Sequence, residues 1–249
     1  MNKLIELGKK HDIDIEIFKE KNNSTDISTL NDKVKLFQIT NVTSYIIKAI
    51  KNNRCVKIVT ENINDVEEII NTLEEIFNTS DNKNSNKLCS GNVKNKVKDY
   101  EKIDNTKVKD DLLSLNELKT KYSCIKTIEA EFSHAEIGKF IINELNNCDM
   151  EDETYLNSYG ASITVEKNNQ TRVLYIGFYT KKYNFNEFKE YLLKKLKYLL
   201  IKLDSTSVET SKYKVLLANN VVASILSTFS ASFQSKGIYL NESVLSDKL

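Results

Sequence analysis

The apolar residues of this chain change period several times, and each change predicts an element. Over residues 2–10, Leu4, Ile5 and Leu7 share one side, as in a short helix. The period then drops to two: Ile13, Ile15 and Ile17 alternate with Asp12, Asp14 and Glu16, a half-buried strand. Strand-like runs follow at residues 28–30, 34–40, 45–50 and 56–60. Turn residues separate them at Asn31-Asp32 and Lys51-Asn52-Asn53, so the region reads as an antiparallel meander. From Asn64, a fair N-cap, the three- and four-residue spacing of Val66, Ile69, Ile70, Leu73, Ile76 and Phe77 predicts a helix that covers one sheet face.

Residues 79–110 break the pattern. They are polar, charged and nearly aperiodic, and read as a linker or long surface segment. Structure resumes near Leu112. Ile125, Ile128, Ala130 and Phe132 look like a strand, and Ile137, Phe140, Ile141 and Leu145 predict an amphipathic helix over 134–147. Asn157-Ser158-Tyr159-Gly160 is a turn signal, 162–166 alternates, Asn168-Asn169 suits a hairpin turn, and 172–183 is a long aromatic strand. Residues 185–203 form a strong helix, with Phe188, Leu192, Leu196, Leu199 and Leu200 on one face and lysines on the other. Residues 213–217 read as a short apolar strand and 219–233 as a helix bearing Val222, Ile225, Leu226, Phe229 and Phe233.

The fold class is therefore α+β: a mixed amino-terminal domain of antiparallel strands and covering helices, then the start of a second, β-rich domain. The segments are 1–78, an α+β unit; 79–110, the polar stretch; 111–208, a second α+β part; and 209–249, the beginning of a carboxy-terminal domain that stops without a closing element.

Composition changes the picture mainly by exclusion. The 249 residues contain 0 Pro and 6 Gly, scattered so that no glycine-rich phosphate loop can form. A net charge of +1 gives no field to steer the chain to nucleic acid. No apolar run approaches the ~18 residues of a membrane span. The amino terminus lacks the layout of a signal peptide, which places the chain in the cytoplasm. Cys55, Cys89, Cys124 and Cys148 are widely spaced without a CxxC and read as free thiols. The 2 histidines, His11 and His134, cannot build a His-rich metal site. On this reading His134 stands at a helix start, an ordinarily solvent-facing place, with Glu136 beside it. The physics alone shows no active site.

Residues 213–249 add a resemblance. Val215-Leu216-Leu217, a helix from Asn219, a loop with Ser235-Lys236-Gly237 and the ending from Ser243 to Leu249 resemble the TldD/PmbA family, described as modulators of DNA gyrase. Upstream, Asn157-Ser158-Tyr159-Gly160 resembles the family's Asn-Ser-x-Gly turn, and 46–60 its amino-terminal hairpin. The family motif residues carried over are thus Asn157, Ser158, Gly160, Lys236, Gly237 and Ser243.

The resemblance implies a metallopeptidase family, whose TldD-like members carry His-Glu-x-x-x-His on the helix after residue 218. The matching positions here are Ser227, Thr228 and Ser232. Neutral hydroxyls are poor zinc ligands and Thr228 cannot act as a carboxylate base. The likeness is therefore to the PmbA (TldE) branch, with no catalytic residue and no metal or other cofactor in this chain. Zinc is expected only in a TldD-like protease subunit, the implied partner. The other implied interactions are with unfolded peptides and with a second copy, and none with nucleic acid or membrane. The alternatives are a truncated remnant acting as an interaction module, and a hydrolase built around His134 and Glu136.

Overall fold

In the computed structural model, the described residues are 1–79, 87–97, 101–203, 205–243 and 245–246. They fall into two units, Met1–Ser205 and Thr206–Leu249. The class is α+β, as the alternating periods predict.

The first unit is built on long antiparallel strands. Helix α1 (Asn2–Lys10) leads into β1 (Asp14–Leu30), β2 (Lys33–Lys51) and β3 (Arg54–Thr60), then α2 (Val66–Thr79). A two-residue strand, β4 (Lys94–Asn95), precedes α3 (Asn105–Ser114), a 3-10 turn and α4 (Leu118–Lys121). Then come β5 (Ile125–Asn143), β6 (Cys148–Lys167), β7 (Gln170–Thr180) and α5 (Phe185–Lys202). The sheet order is β3-β2-β1-β5-β6-β4, with β7 also on β6. β5 occupies one edge of β6 throughout. The other edge takes β4 near Glu151 and β7 from Asn157 onward.

Asparagine makes the tight turns of this glycine-poor chain. Asn31, Asn52, Asn53, Asn168 and Asn169 all adopt positive φ, between 50° and 61°. Two-residue hairpins need that left-handed backbone, and asparagine tolerates it best after glycine.

The apolar residues of one sheet face form two separate cores. Ile13, Ile15 and Ile17 of β1 pack with Ile47, Ala49 and Val56 under α1 and α2. Ten residues along the same face of β1, Ile27 joins Phe132, Tyr159, Ile163 and Val165 under α3 and α5. Between them the face carries Lys19, Lys21, Asn23 and Thr25. At the second core, Tyr159 stacks on Phe188 with ring centroids 4.8 Å apart and planes at 17°. Asn184 caps α5 reciprocally: its Oδ1 accepts from Glu187 N at 3.2 Å and its Nδ2 donates to Glu187 Oε2 at 3.0 Å.

Several elements differ from the sequence expectation. The helix expected over 134–147 is instead the second half of β5. Its apolar spacing fits a helix locally, but residues 16–25 and 148–157 pair with it on both sides, and these ladders override the local period. The turn expected at residues 157–160 is the middle of β6. Space favours Gly160 there: a Cβ would come 2.3 Å from Glu131 Oε1, so Glu131 would have to move. The cap of α2 is Asp65, whose Oδ1 accepts from Glu68 N at 3.1 Å, not Asn64. Within the polar stretch, residues 91–95 lie along β6 and α3 begins at Asn105.

The second unit holds α6 (Asn219–Thr228), a 3-10 turn at Ser230–Phe233 and α7 (Ser235–Tyr239). Residues 213–217, expected as a strand, have no strand partner among the described residues. Leu216 is 98% exposed.

Candidate functional site

The strand swap at 134–143 relocates His134. It lies on the inner face of β5, opposite Thr25 of β1 and Asn157 of β6, and is buried. Its Nδ1 lies 2.6 Å from Asn157 Oδ1. A carboxamide oxygen only accepts, so Nδ1 carries the proton. Asn157, fully buried, donates through Nδ2 to Glu101 Oε2 at 2.9 Å and to Lys181 O at 3.4 Å, which fixes the orientation of its amide. Glu101 Oε2 also accepts from Tyr183 N at 2.7 Å. Tyr183 donates through its hydroxyl to Asp111 Oδ2 at 2.7 Å, and Asn184 N donates to Tyr159 Oη at 3.1 Å. Burial pushes the Tyr159 and Tyr183 phenols well above their ordinary range, and Asp111 adds to the effect on Tyr183.

This network ties β5 and β6 to the loop before α5 and, through Glu101 and Asp111, to the segment around α3. Its remaining polar contact is His134 Nε2 to Glu136 Oε1, long at 3.5 Å. Among the described residues both ring nitrogens face fixed polar partners, Asn157 Oδ1 and Glu136 Oε1, so the arrangement pins the ring between β5 and β6. His134 is a buried strand residue, not a surface residue at a helix start.

A second buried polar knot lies at the other end of the sheet. Glu16 Oε2 accepts from Cys89 N at 2.5 Å and from Asn143 Nδ2 at 3.0 Å. Asn143 Nδ2 also donates to Cys89 O at 2.9 Å, and Lys48 Nζ stands 3.9 Å from Glu16 Oε1. The knot fastens residues 87–91 across the sheet end. Burial, and then the Glu16 carboxylate, push the Cys89 thiol up; burial, and then Cys89, push up Cys148. Both thiols are free and held protonated, which makes them poor nucleophiles. Sequence reading missed Glu16, Glu101 and Asn143, because each looks like an ordinary polar partner in an alternating or irregular stretch.

Of the family-motif positions, Asn157 faces the inner side of β6, while Ser158 and Gly160 face the outer side. The others lie on the second unit. Ser227 Oγ and Thr228 Oγ1 both donate to Ser224 O, at 2.8 and 3.1 Å. Ser243 Oγ donates to Ser232 O at 2.7 Å and accepts from Leu245 N at 3.1 Å. A Cβ at Gly237 would stand 3.1 Å from Ala231 O, a close approach that favours glycine. Lys236 supplies a carbonyl that accepts from Leu240 N at 3.0 Å. Val244 and residues 247–249 lie outside the described residues.

Ser227, Thr228 and Ser232 do not fit a zinc site. Two of the three hydroxyls are engaged with the helix backbone, and none offers an imidazole, thiolate or carboxylate. Among the described residues no group of three or more His, Cys, Asp or Glu side chains is gathered for a metal. No helix among them is long and apolar enough to cross a membrane.

No family model matches the sequence, and no curated protein matches it significantly. Solved structures do match, and they define the class of fold: that of proteins described as candidate modulators of DNA gyrase. One such protein, from Thermotoga maritima, superposes on 100% of this chain with a TM-score of 0.79 at 16% identity. Another, from Bacteroides thetaiotaomicron, superposes on 100% with a TM-score of 0.77 at 15% identity. TldE from Thermococcus kodakarensis covers 82% with a TM-score of 0.57 at 15% identity. The chain spans 58%, 60% and 47% of those three chains.

Proposed function

We propose that this chain is a TldD/PmbA-family protein of the PmbA (TldE) kind: a non-catalytic subunit that supports proteolysis of unfolded peptides by a TldD-like zinc peptidase in the cytoplasm. The observation that carries the reading is the fold shared along the whole chain with the gyrase-modulator proteins, together with motif positions that hold hydroxyls: Ser227 and Thr228 of α6 and Ser232 of the turn after it. Ser227 and Thr228 spend their protons on Ser224 O, the role of small polar residues on a helix surface. In this reading the zinc and its activated water belong to the partner, and this chain contributes binding surface.

The test is co-expression with the TldD-like protein of the same genome. The expected result is a stoichiometric complex that cleaves unfolded peptide faster than the partner alone. Equal peptidase activity with and without this chain would overturn the proposal. Elemental analysis of the isolated chain should find no stoichiometric zinc; one zinc per chain would show that the hydroxyl positions on α6 were misread.

A further inference from the structure

Strand β7 lies at a sheet edge and is flanked by α5. Among the described residues β7 pairs with β6 alone, so its other edge presents a row of unpaired backbone N–H and C=O groups. Sheet proteins usually blunt such edges with short strands, bulges, proline or a lysine. The opposite edge, β3, follows that rule: it is 7 residues long with Lys57 at its centre. β7 is longer and less guarded: it runs for 11 residues in unbroken register, with no proline or lysine between Gln170 and Thr180 and with Arg172, near one end, as its one charged residue.

The edge also has a wall. Phe188 of α5 lies over Tyr159 of β6, with ring centroids 4.8 Å apart, and Tyr191 lies over Phe178 of β7, at 5.8 Å. The helix flank that begins at Tyr191 therefore points toward the open side of β7. One and two turns further on, that flank carries Lys194, Lys195 and Tyr198, and Tyr198 is 57% exposed. The inward row of β7 (Leu174, Ile176 and Phe178) packs on the core yet remains only partly buried. A strand added beside β7 would cover that row and slide beneath Tyr191 and Tyr198. An edge strand with a neighbouring helix is the geometry by which extended peptides are bound through strand addition.

Charge decides between occupants. Lys194, Lys195 and Lys202 line the flank and Arg172 stands on β7, four cations against the carboxylates of Glu187 and Glu190 nearer the start of α5. A two-fold pairing of β7 with a second copy would bring two such cationic flanks together. We infer that the groove between β7 and α5 takes an extended peptide that alternates apolar with acidic side chains: the backbone bonds β7, the apolar residues fill the inward row and the carboxylates meet the lysines. The inference goes beyond the peptidase reading and does not depend on it, because it concerns the isolated chain and needs no partner.

The experiment measures fluorescence anisotropy of the whole chain with a labelled peptide that alternates Val with Glu. Two comparison peptides replace each Glu with Lys, or carry N-methyl groups on alternate amides. The acidic peptide is expected to bind about tenfold or more tightly than the lysine peptide, because like charges across an interface are strongly selected against. The N-methylated peptide should not bind, since it cannot complete the ladder. The double variant Arg172→Glu, Lys195→Glu alters exposed or half-exposed side chains and should reverse the order of the two charged peptides. Amide exchange should slow over residues 171–180 on binding. Equal binding of the N-methylated peptide, an unchanged order in the double variant, or sedimentation showing that wild-type chains dimerise through β7 would each overturn the inference.

Discussion

Asn157 Oδ1 accepts a hydrogen bond from His134 Nδ1 at 2.6 Å across the β5–β6 seam, and its Nδ2 donates to Glu101 Oε2 and Lys181 O. One fully buried carboxamide thus satisfies groups from three parts of the chain. Replacing Asn157 with Ala should destabilise the fold by about 2–4 kcal/mol, because the partners stay buried with hydrogen bonds unmade. Ser158→Ala, on the opposite side of the same strand, should change stability by no more than about 0.5 kcal/mol. Urea unfolding of the two variants checks the contrast, and equal losses would remove the role given to Asn157.

Gly160 answers to Glu131, whose Oε1 and Cγ would lie 2.3 and 2.7 Å from a new Cβ. The carboxyl end of Glu131 can swing aside, but Cγ sits nearer the backbone. Gly160→Ala should therefore cost about 1–3 kcal/mol. In a Glu131→Ala background the same change should cost much less. A double-mutant cycle reads the coupling directly, and strict additivity would refute the steric explanation.

Tyr159 and Tyr183 set a limit on the alkaline side. Their folded-state phenols titrate above the ordinary value of about 10, chiefly because they are buried. The unfolded chain then loses phenolic protons before the folded one. The stability tied to these groups is complete below about pH 10 and declines as pH rises beyond it, by up to about 1.4 kcal/mol per pH unit for each phenol. Denaturant unfolding at pH 9 and at pH 11 should show the drop. Tyr183→Phe should be less stable at pH 9, having lost its bond to Asp111, and should fall less steeply above pH 10.

The thiols of Cys89 and Cys148 are pushed up by burial and by the Glu16–Cys89–Cys148 proximity. At pH 8 iodoacetamide should modify both more slowly than it modifies them in the unfolded chain, since thiolate is the reacting form. Glu16→Gln should speed Cys89 by lowering its pKa and loosening residues 87–91. Mass spectrometry of timed samples separates the sites, and a Cys89 that reacts at the unfolded rate would contradict the assignment.

The hairpins were legible because their signals are local: Asn52-Asn53 and Asn168-Asn169 carry the left-handed turns that the alternating strands on either side require. Helices α1, α2 and α5 were legible for the same reason. β5 was not. Ile137, Phe140 and Ile141 satisfy a helical spacing as well as a strand, and only pairing with β1 and β6, distant in sequence, decides between them. His134 followed that error. Its partner Asn157 lies 23 residues away, and nothing in the sequence places the two side by side. Glu16 illustrates a further limit: it alternates with Ile15 and Ile17 as a surface residue would, yet the crossing of residues 87–91 buries it.

The two apolar cores share one sheet face, and ten residues of β1 separate Ile17 from Ile27, roughly 33 Å at the strand's rise. The polar row between them provides no packed path from one core to the other. The sheet therefore behaves as a beam loaded at its two ends: damage to Leu4 or Ile70 and damage to Phe188 or Leu192 are independent events whose destabilisations add. A lineage that alters one end is free of constraint from the packing of the other, so the helices above each core can diverge while the strands beneath keep their register.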